Sequence, residues 1–312
     1  MKPKIYIDGS EGTTGLRIFE RVGCRDDIEI LTIDPALRKD VDERKKLINQ
    51  SDITFLCLPD AAAREAVSLV ENENTRIIDA STAHRVHPDW AYGFAELSSA
   101  HRERIASGKR IANPGCHATG FISLVYPLVA AGILPREAVV PCFSLTGYSG
   151  GGKKMIAEYE ADGRDVQLDA PRQYGLTRQH KHLREMQKIT GIDYAPIFSP
   201  IVSDFYSGMV VTVPLFRQQL KGGAGIDEVR SVYEKTYTGP VVVCGDRSSG
   251  GFLAGNAAAG TDRMHICVQG NPERILLTAC YDNLGKGASG AAIQLMNLIL
   301  GARETEGLEG IL

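Results

Sequence analysis

Short apolar runs alternate with amphipathic stretches along the first third of the chain. Lys4-Ile5-Tyr6-Ile7-Asp8 is β-rich, and a glycine-rich turn separates it from Leu16, Ile18, Phe19 and Val22, which recur at helical spacing. A second run, 28–33, ends at Asp34. Charged helix-like residues over 41–49 lead to a third strand at 53–58, an Ala-rich helix follows over 60–70, and a fourth strand covers 76–80. Strands separated by helices of this length need crossover connections, which are right-handed, so the pattern predicts a parallel sheet.

The pattern changes past residue 116. A helix over 118–131 carries Phe121, Ile122, Leu124, Val125 and Leu128, with Gly132 placed to end it. Strand-like runs at 139–145, 209–213 and 274–281 are joined by longer connections, which suggests a mixed or antiparallel sheet with helices on one face. A last helix over 288–300 follows the glycine-rich 283–287 and is of the kind that packs back onto a first domain.

Composition narrows the partners. A chain of 312 residues is long enough for two domains, and its formal net charge of −3 argues against a nucleic-acid footprint. No apolar run approaches the ~20 residues needed to span a bilayer. Small molecules and other copies of the chain remain as partners. The 33 glycines follow no period. The cysteine count is odd (Cys24, Cys57, Cys116, Cys142, Cys244, Cys267 and Cys280), with no C-x-x-C pair and no zinc-like Cys/His spacing. No apolar signal segment precedes Lys4, and a reducing cytoplasm is expected. Cys57, Cys142, Cys244, Cys267 and Cys280 fall in or beside β-like runs, where core roles are expected; Cys24 ends a helix.

Two local patterns carry chemistry. Gly9-x-x-Gly12-x-x-Gly15 lies in the turn between the first strand and the first helix, where glycines let the backbone approach a dinucleotide pyrophosphate and the helix N-terminus supplies positive potential. The spacing departs from G-x-G-x-x-G, so position counts for more than motif. At the end of strand two, Asp34 suits a ribose 2′-hydroxyl, whereas Arg38 and Lys39 suit a 2′-phosphate. The second pattern is Asn113-Pro114-Gly115-Cys116-His117-Ala118-Thr119-Gly120. If Cys116 opens the helix behind this turn, unsatisfied N–H groups and the dipole stabilise its thiolate. From the turn alone, a nucleophile and a structural cysteine both stand.

The order and joint presence of several motifs resemble the N-acetyl-gamma-glutamyl-phosphate reductase family in its shorter form. They are the glycine turn with Thr13 and Thr14, Asp79-Ala80-Ser81-Thr82-Ala83-His84-Arg85, Tyr92-Gly93-Phe94-Ala95-Glu96-Leu97, Asn113-Pro114-Gly115-Cys116, Gly147-Tyr148-Ser149-Gly150-Gly151-Gly152-Lys153, His180-Lys181-His182 and Asn283-Leu284-Gly285-Lys286-Gly287. The resemblance implies an α/β fold: a Rossmann-like nucleotide domain of 1–115 plus 287–312, and a second α+β domain, 116–286, with a mixed or antiparallel sheet.

The resemblance also implies a reaction and a site. Cys116 would attack an acyl phosphate to form a thioester, and NADPH would reduce that thioester to a semialdehyde. His180 and His182 match the signature that carries the acid/base histidine, and Tyr174 matches a tyrosine near the substrate. The residues leave open which histidine faces Cys116: an extended segment points both the same way, and a helix opening at His182 makes them diverge. Gly9, Gly12, Thr13, Thr14, Gly15, Ser81, Pro114, Ser149 and Asn283 would bind cofactor, and Arg85 or Arg110 the substrate anion. No metal is expected, and a homo-oligomer, dimer or tetramer, is. Two departures stand out: 34–52 is compressed, and Ser207 precedes Gly208 where the longer form has arginine. Two other readings share these features: an aspartyl-phosphate or aminoadipyl semialdehyde dehydrogenase, and a nucleotide-binding regulator without catalysis.

Overall fold

The structure, a computed structural model, describes residues 2–311. The chain divides into two compact units. One is 1–95, 99–114 and 288–308; the other is 96–98, 115–287 and 309–312.

The first unit is built on a parallel sheet. Its elements run β1 (Lys4–Asp8), α1 (Thr13–Gly23), β2 (Glu29–Leu31), α2 (Val41–Gln50), β3 (Ile53–Leu56), α3 (Asp60–Ser68), β4 (Arg76–Asp79), β5 (Ala91–Tyr92), α4 (Ser99–Ser107) and β6 (Arg110–Ala112), in sheet order β2-β1-β3-β4-β6-β5. Every pairing is parallel. Strand alternation sorts the core into two faces. Ile5, Ile7, Phe55, Ile78 and Ile111 pack with Ile18 and Val22 of α1 and with Ile293, Leu295 and Met296 of the last helix, Gly290–Leu300. Tyr6, Leu56, Ile77 and Ala112 pack on the other side with Leu47 and Ile48 of α2 and Ala63 and Ala66 of α3. Each fully buried Ile or Leu contributes about 1.5–3 kcal/mol relative to exposure. β2 stops at Leu31, two residues before the predicted end, so Asp34 lies in the turn beyond it.

The second unit opens with α5 (Cys116–Ala130) and continues β7 (Pro141–Gly147), α6 (Gly152–Tyr159), β8 (Arg172–Gln173), α7 (Leu183–Thr190), β9 (Ile197–Ser203), β10 (Met209–Phe216), α8 (Ile226–Thr236), β11 (Val242–Cys244), β12 (Met264–Gly270) and β13 (Arg274–Tyr281). The sheet order is β11-β12-β13-β10-β7-β9-β8. It is mixed: β10 runs antiparallel to β13 and β7, while β7 and β9 are parallel. Helix α5 is apolar on all sides and buried almost throughout. Pro127 inside it has no N–H to give the carbonyl of Ser123 four residues back. The Tyr237 hydroxyl takes that place, donating to Ser123 O at 2.6 Å, and Tyr233 of α8 donates to Leu124 O at 2.5 Å.

The opposite sheet face carries exposed apolar side chains: Phe143 (47% exposed), Ile197 (54%), Phe216 (55%) and Leu276 (37%). This corrects the expectation for two cysteines. Cys244 is exposed and Cys267 only half-buried, because their strands lie toward one edge of the sheet rather than at its packed centre. Strand β9 has no counterpart in the sequence-based expectation, since Pro200 interrupts its apolar run, whereas β11 and β12 contain the β-like runs at Cys244 and Cys267.

Candidate active site

Gly115 holds an extended backbone (φ −78°, ψ 145°), and the helix starts at the next residue. Cys116 is therefore the first helical residue of α5, half-buried, where the N–H groups of the first turn lack intrahelical acceptors and the positive end of the dipole lies. The turn is fastened on both sides. Thr119 donates to Gly115 O through its N–H (2.9 Å) and its hydroxyl (3.0 Å). The Tyr281 hydroxyl donates to Cys116 O at 2.6 Å and accepts from Gly120 N–H at 3.0 Å.

The 283–287 motif lies against Cys116. A Cβ at Gly287 would fall 3.2 Å from Cys116 Cβ and 3.1 Å from Asp282 O. Gly285–Ser289 is a wide π-type turn in which Gly287 N–H bonds back to Asp282 O at 3.0 Å. Such turns concentrate at functional sites. Within it Lys286 is buried, with its ammonium on the Glu96 carboxylate at 2.8 and 3.0 Å. Asn283 accepts from Gly208 N–H at 2.9 Å and donates to Ser149 Oγ at 3.0 Å, so these two predicted positions meet. Ser207 gives its hydroxyl to Asp282 at 3.0 Å.

Three histidine rings cluster around the start of α5. The His117 centroid lies 5.6 Å from that of His180 and 5.5 Å from that of His182, and the latter two are 4.7 Å apart. His182 is the residue before α7, with near-helical backbone (φ −76°, ψ −13°), yet the two rings stay together. Phe198 packs edge-on against His117 and His180. His117 bonds Ser144 Oγ through Nδ1 (2.7 Å) and the Tyr174 hydroxyl through Nε2 (2.6 Å). Burial, helped by the charges of His180 and Lys181, pushes His117 down to about 3; burial and then Lys181 push His180 down to about 4. His180 Nδ1 accepts from His182 N–H at 3.2 Å, which places the proton of its neutral ring on Nε2. One buried carboxylate links the cluster to the turn before Cys116: Glu185 Oε2 accepts from Gly115 N–H at 3.2 Å, and its Oε1 lies 3.9 Å from His182 Nε2.

In the first unit the glycine turn leaves no space for side chains at Gly9 and Gly15. A Cβ at Gly9 (φ +88°) would meet Cys57 O at 2.5 Å, and one at Gly15 would meet Gly9 O at 2.3 Å. Gly12 precedes Thr13 and Thr14, the first residues of α1. A cavity of about 580 Å³ lies elsewhere, against α8; the one beside the glycine turn is about 490 Å³ and is lined by Gly9, Ser10, Glu11, Gly12, Arg38 and Lys39 among others. These residues fit a dinucleotide: bare backbone at a helix N-terminus, with cations beside it. The Asp34 carboxylate accepts from Ala36 N–H at 2.8 Å and is not part of that lining. Ser81 is fixed on Asp79 through its N–H and hydroxyl, both at 2.8 Å, and His84 bonds the same carboxylate at 2.6 Å while stacking on Trp90. Pro114 follows β6 at the same end of the sheet. Arg85 gives Nε to Asn113 O and Nη2 to Ala80 O, both at 3.0 Å. Arg110 gives Nη1 to Thr75 O and Lys109 O, which lie at the N-terminal edge of the strands. Ligands of parallel sheets bind at the other edge, so the structure does not bring Arg110 to the site.

Over 309 residues the chain is 48% identical to N-acetyl-gamma-glutamyl-phosphate reductase of Brucella ovis, covering 96% of this chain and all of that protein. The same enzyme of Brucella melitensis matches to the same extent. The chain belongs to the N-acetyl-gamma-glutamyl-phosphate reductase family. Residues 6–106 match the semialdehyde dehydrogenase NAD-binding domain and 116–283 the semialdehyde dehydrogenase dimerisation domain, which makes the protein a nicotinamide-dependent oxidoreductase. Aspartate semialdehyde dehydrogenase II of Vibrio cholerae, solved as a complex with ASA, shares the fold at 17% identity with a TM-score of 0.70, over 96% of this chain and 99% of that one. The Francisella tularensis aspartate semialdehyde dehydrogenase superposes with a TM-score of 0.71 at 14% identity, over 96% of this chain and all of that one.

Against the family's motifs, the sequence reading missed His117, Ser144, Glu185 and the Lys286–Glu96 pair. Glu185 was within reach, because His182-x-x-Glu185 is a helical i, i+3 spacing. His117 stood next to Cys116, but its partners Ser144 and Tyr174 come from distant segments. Among the described residues, no cluster of three or more His, Cys, Asp and Glu side chains is placed to hold a metal ion.

Proposed function

We propose that the protein reduces N-acetyl-L-glutamyl 5-phosphate to N-acetyl-L-glutamate 5-semialdehyde and phosphate, with NADPH as hydride source, in the cytoplasmic synthesis of arginine. The observation that carries this reading is Cys116 at the first position of α5, beside the histidine cluster, in a chain 48% identical over its length to reductases of that name.

The Cys116 sulfur bonds to the acyl carbon while the carbon–oxygen bond to phosphate breaks, and phosphate leaves with the electron pair, giving a thioester. The helix N-terminus favours the thiolate before attack and whenever sulfur leaves again. A reduced nicotinamide cofactor, held at the turn of Gly9 and Gly12, would supply the hydride that reduces the thioester. His182 then holds the proton shared with the oxygen of the resulting thiohemiacetal, and takes it back as the carbon–sulfur bond breaks and the aldehyde forms. His182 is preferred over His180 for two reasons. Burial keeps His180 neutral, so no imidazolium forms there to lend a proton, and the Glu185 carboxylate, 3.9 Å from His182 Nε2, stabilises an imidazolium on His182.

The support for NADP over NAD is the cavity beside Gly9 and Gly12, where Arg38 and Lys39 stand and Asp34 does not. A 2′-phosphate needs such cations. The support for a homo-oligomer is the open sheet face with Phe143, Phe216 and Leu276, on a segment matching a dimerisation domain.

The test runs the reaction backwards. Purified protein receives N-acetylglutamate semialdehyde, phosphate and NADP⁺ or NAD⁺, and absorbance of the reduced nicotinamide is followed. NADP⁺ reduction requires phosphate, and Cys116→Ser loses nearly all turnover. Preference for aspartate semialdehyde would overturn the substrate, and full activity in Cys116→Ser the mechanism. His182→Asn abolishes the histidine limb of the rate–pH profile, whereas His180→Asn leaves it.

A further inference from the structure

We propose that Ser144 and His117 are positioning residues that turn the Tyr174 hydroxyl proton outward, toward an oxygen of the bound acyl substrate. The inference rests on the proposed function only for the identity of that oxygen; the hydrogen-bond chain is a property of the folded protein.

The chain of bonds runs Ser144 Oγ to His117 Nδ1 at 2.7 Å and His117 Nε2 to the Tyr174 hydroxyl at 2.6 Å. Its polarity follows from counting protons. Ser144 lies on β7 with no exposed surface, and His117 is its hydroxyl's only hydrogen-bond partner among the described residues. A buried hydroxyl with one neighbour is best served by donating to it, because a stranded donor is rarer in proteins than an oxygen with an unused lone pair. Ser144 therefore donates, and His117 Nδ1 accepts. The ring carries one proton, since burial between Ser144 and Tyr174 disfavours the imidazolium. That proton sits on Nε2 and is given to the Tyr174 oxygen. Tyr174 then accepts from His117 and cannot donate to it.

Its own proton is left over. The Tyr174 hydroxyl has no other partner among the described residues, and the ring lies close enough to Cys116 for the thiolate's charge, after burial, to push its ionisation upward. Tyr174 thus keeps its proton beside the nucleophile and presents it to whatever occupies that space. An acyl oxygen gaining charge, or a substrate carboxylate, is the acceptor such a donor suits. In the reverse polarity Tyr174 would donate to His117, Nδ1–H would donate to Ser144, and the Ser144 proton would be stranded in the core.

Two experiments test this. In the wild-type protein without substrate, ¹⁵N NMR of histidine side chains, with His117 assigned by the signal missing from His117→Phe, reads the tautomer. A neutral Nε2–H ring from acid to alkaline pH is expected, and an Nδ1–H ring overturns the proposal. The second is a double-variant cycle on kcat/KM. Tyr174→Phe lowers kcat/KM on the order of ten- to a hundredfold, the loss of one hydrogen bond to a charged oxygen. His117→Phe, which keeps an aromatic ring among Phe198, His180 and His182, lowers it comparably when Tyr174 is present and less than about twofold in the Tyr174→Phe background. An equal factor in both backgrounds means that His117 serves only packing, and overturns the proposal. An inactive wild type would count against the proposed function, and the tautomer would still decide this inference.

Discussion

Acid should destabilise the protein through His117, and the size of the effect follows from its burial. The ring is 3% exposed and bonded at both nitrogens, and burial, with the charges of His180 and Lys181, holds it down to about 3 from the ordinary 6.5. The sign is fixed by proton counting. Between these two values the unfolded chain binds a proton that the native state refuses, so stability is complete above 6.5 and is lost as pH falls toward the folded value. From about pH 7.5 to about pH 5 the unfolded histidine gains nearly a full proton, which costs about 2 kcal/mol of stability for this residue alone. Other histidines contribute, because His180 and His265 are each pushed down to about 4 by burial first. The measurement is therefore a difference. Urea unfolding of wild type and His117→Phe is followed at both pH values. The variant starts lower at neutral pH, since Ser144 and Tyr174 lose a partner at about 1–3 kcal/mol, but its acid loss is smaller by about 2 kcal/mol. Parallel losses in the two proteins would refute the burial argument, and a titration of His117 seen by NMR above pH 5 would do so directly.

Three further outcomes are expected. Lys286→Met takes the ammonium from the buried Glu96 carboxylate and should lower stability by about 3–5 kcal/mol, while Lys286→Met with Glu96→Leu recovers most of that loss in urea unfolding. Arg38→Ala with Lys39→Ala should raise KM for NADPH by about tenfold or more and leave KM for NADH within about twofold, because only the 2′-phosphate loses charge-assisted bonds; equal changes for both cofactors would remove the 2′-phosphate from this cavity. Phe143→Asp with Phe216→Asp should convert an oligomer to monomer in analytical ultracentrifugation without loss of the far-ultraviolet helix signal, since both side chains lie on the open sheet face.

What could be read from the sequence divides along the range of the interactions involved. Strands β1, β3 and β4 carry their own signal, because a strand covered on both faces reads as a continuous apolar run whatever its neighbours do. The start of α5 was legible only in part: the apolar spacing predicts a helix over 118–131 and leaves its opening at Cys116 as a condition, and the helix begins there, two residues earlier. The roles within the site were not legible. Whether His180 and His182 face together depends on how α7 leaves its N-terminus, and the answer combines both alternatives, with His182 preceding the helix and its ring still 4.7 Å from that of His180. For Arg85 and Arg110 the difficulty runs the other way. An arginine in sequence reads as an anion ligand, but both spend donors on backbone carbonyls that only the folded sheet brings near.

The histidine cluster shows why residue type alone could not assign the acid/base group. Three imidazoles whose centroids lie within 5.6 Å of one another cannot all carry charge, and beside a cationic Lys181 each added proton opposes the next. The fold resolves this by environment. His117 is sealed between Ser144 and Tyr174, and His180 is half-sealed with its Nδ1 accepting from the His182 backbone; burial keeps both neutral. Of the three, His182 has the Glu185 carboxylate beside it, and that carboxylate also accepts from the N–H of Gly115, one residue before Cys116. Glu185 thus ties the position of the His182 ring to that of the Cys116 sulfur. Shortening it to Asp should change kcat more than KM, because the substrate would still bind while sulfur and imidazole lost their common anchor.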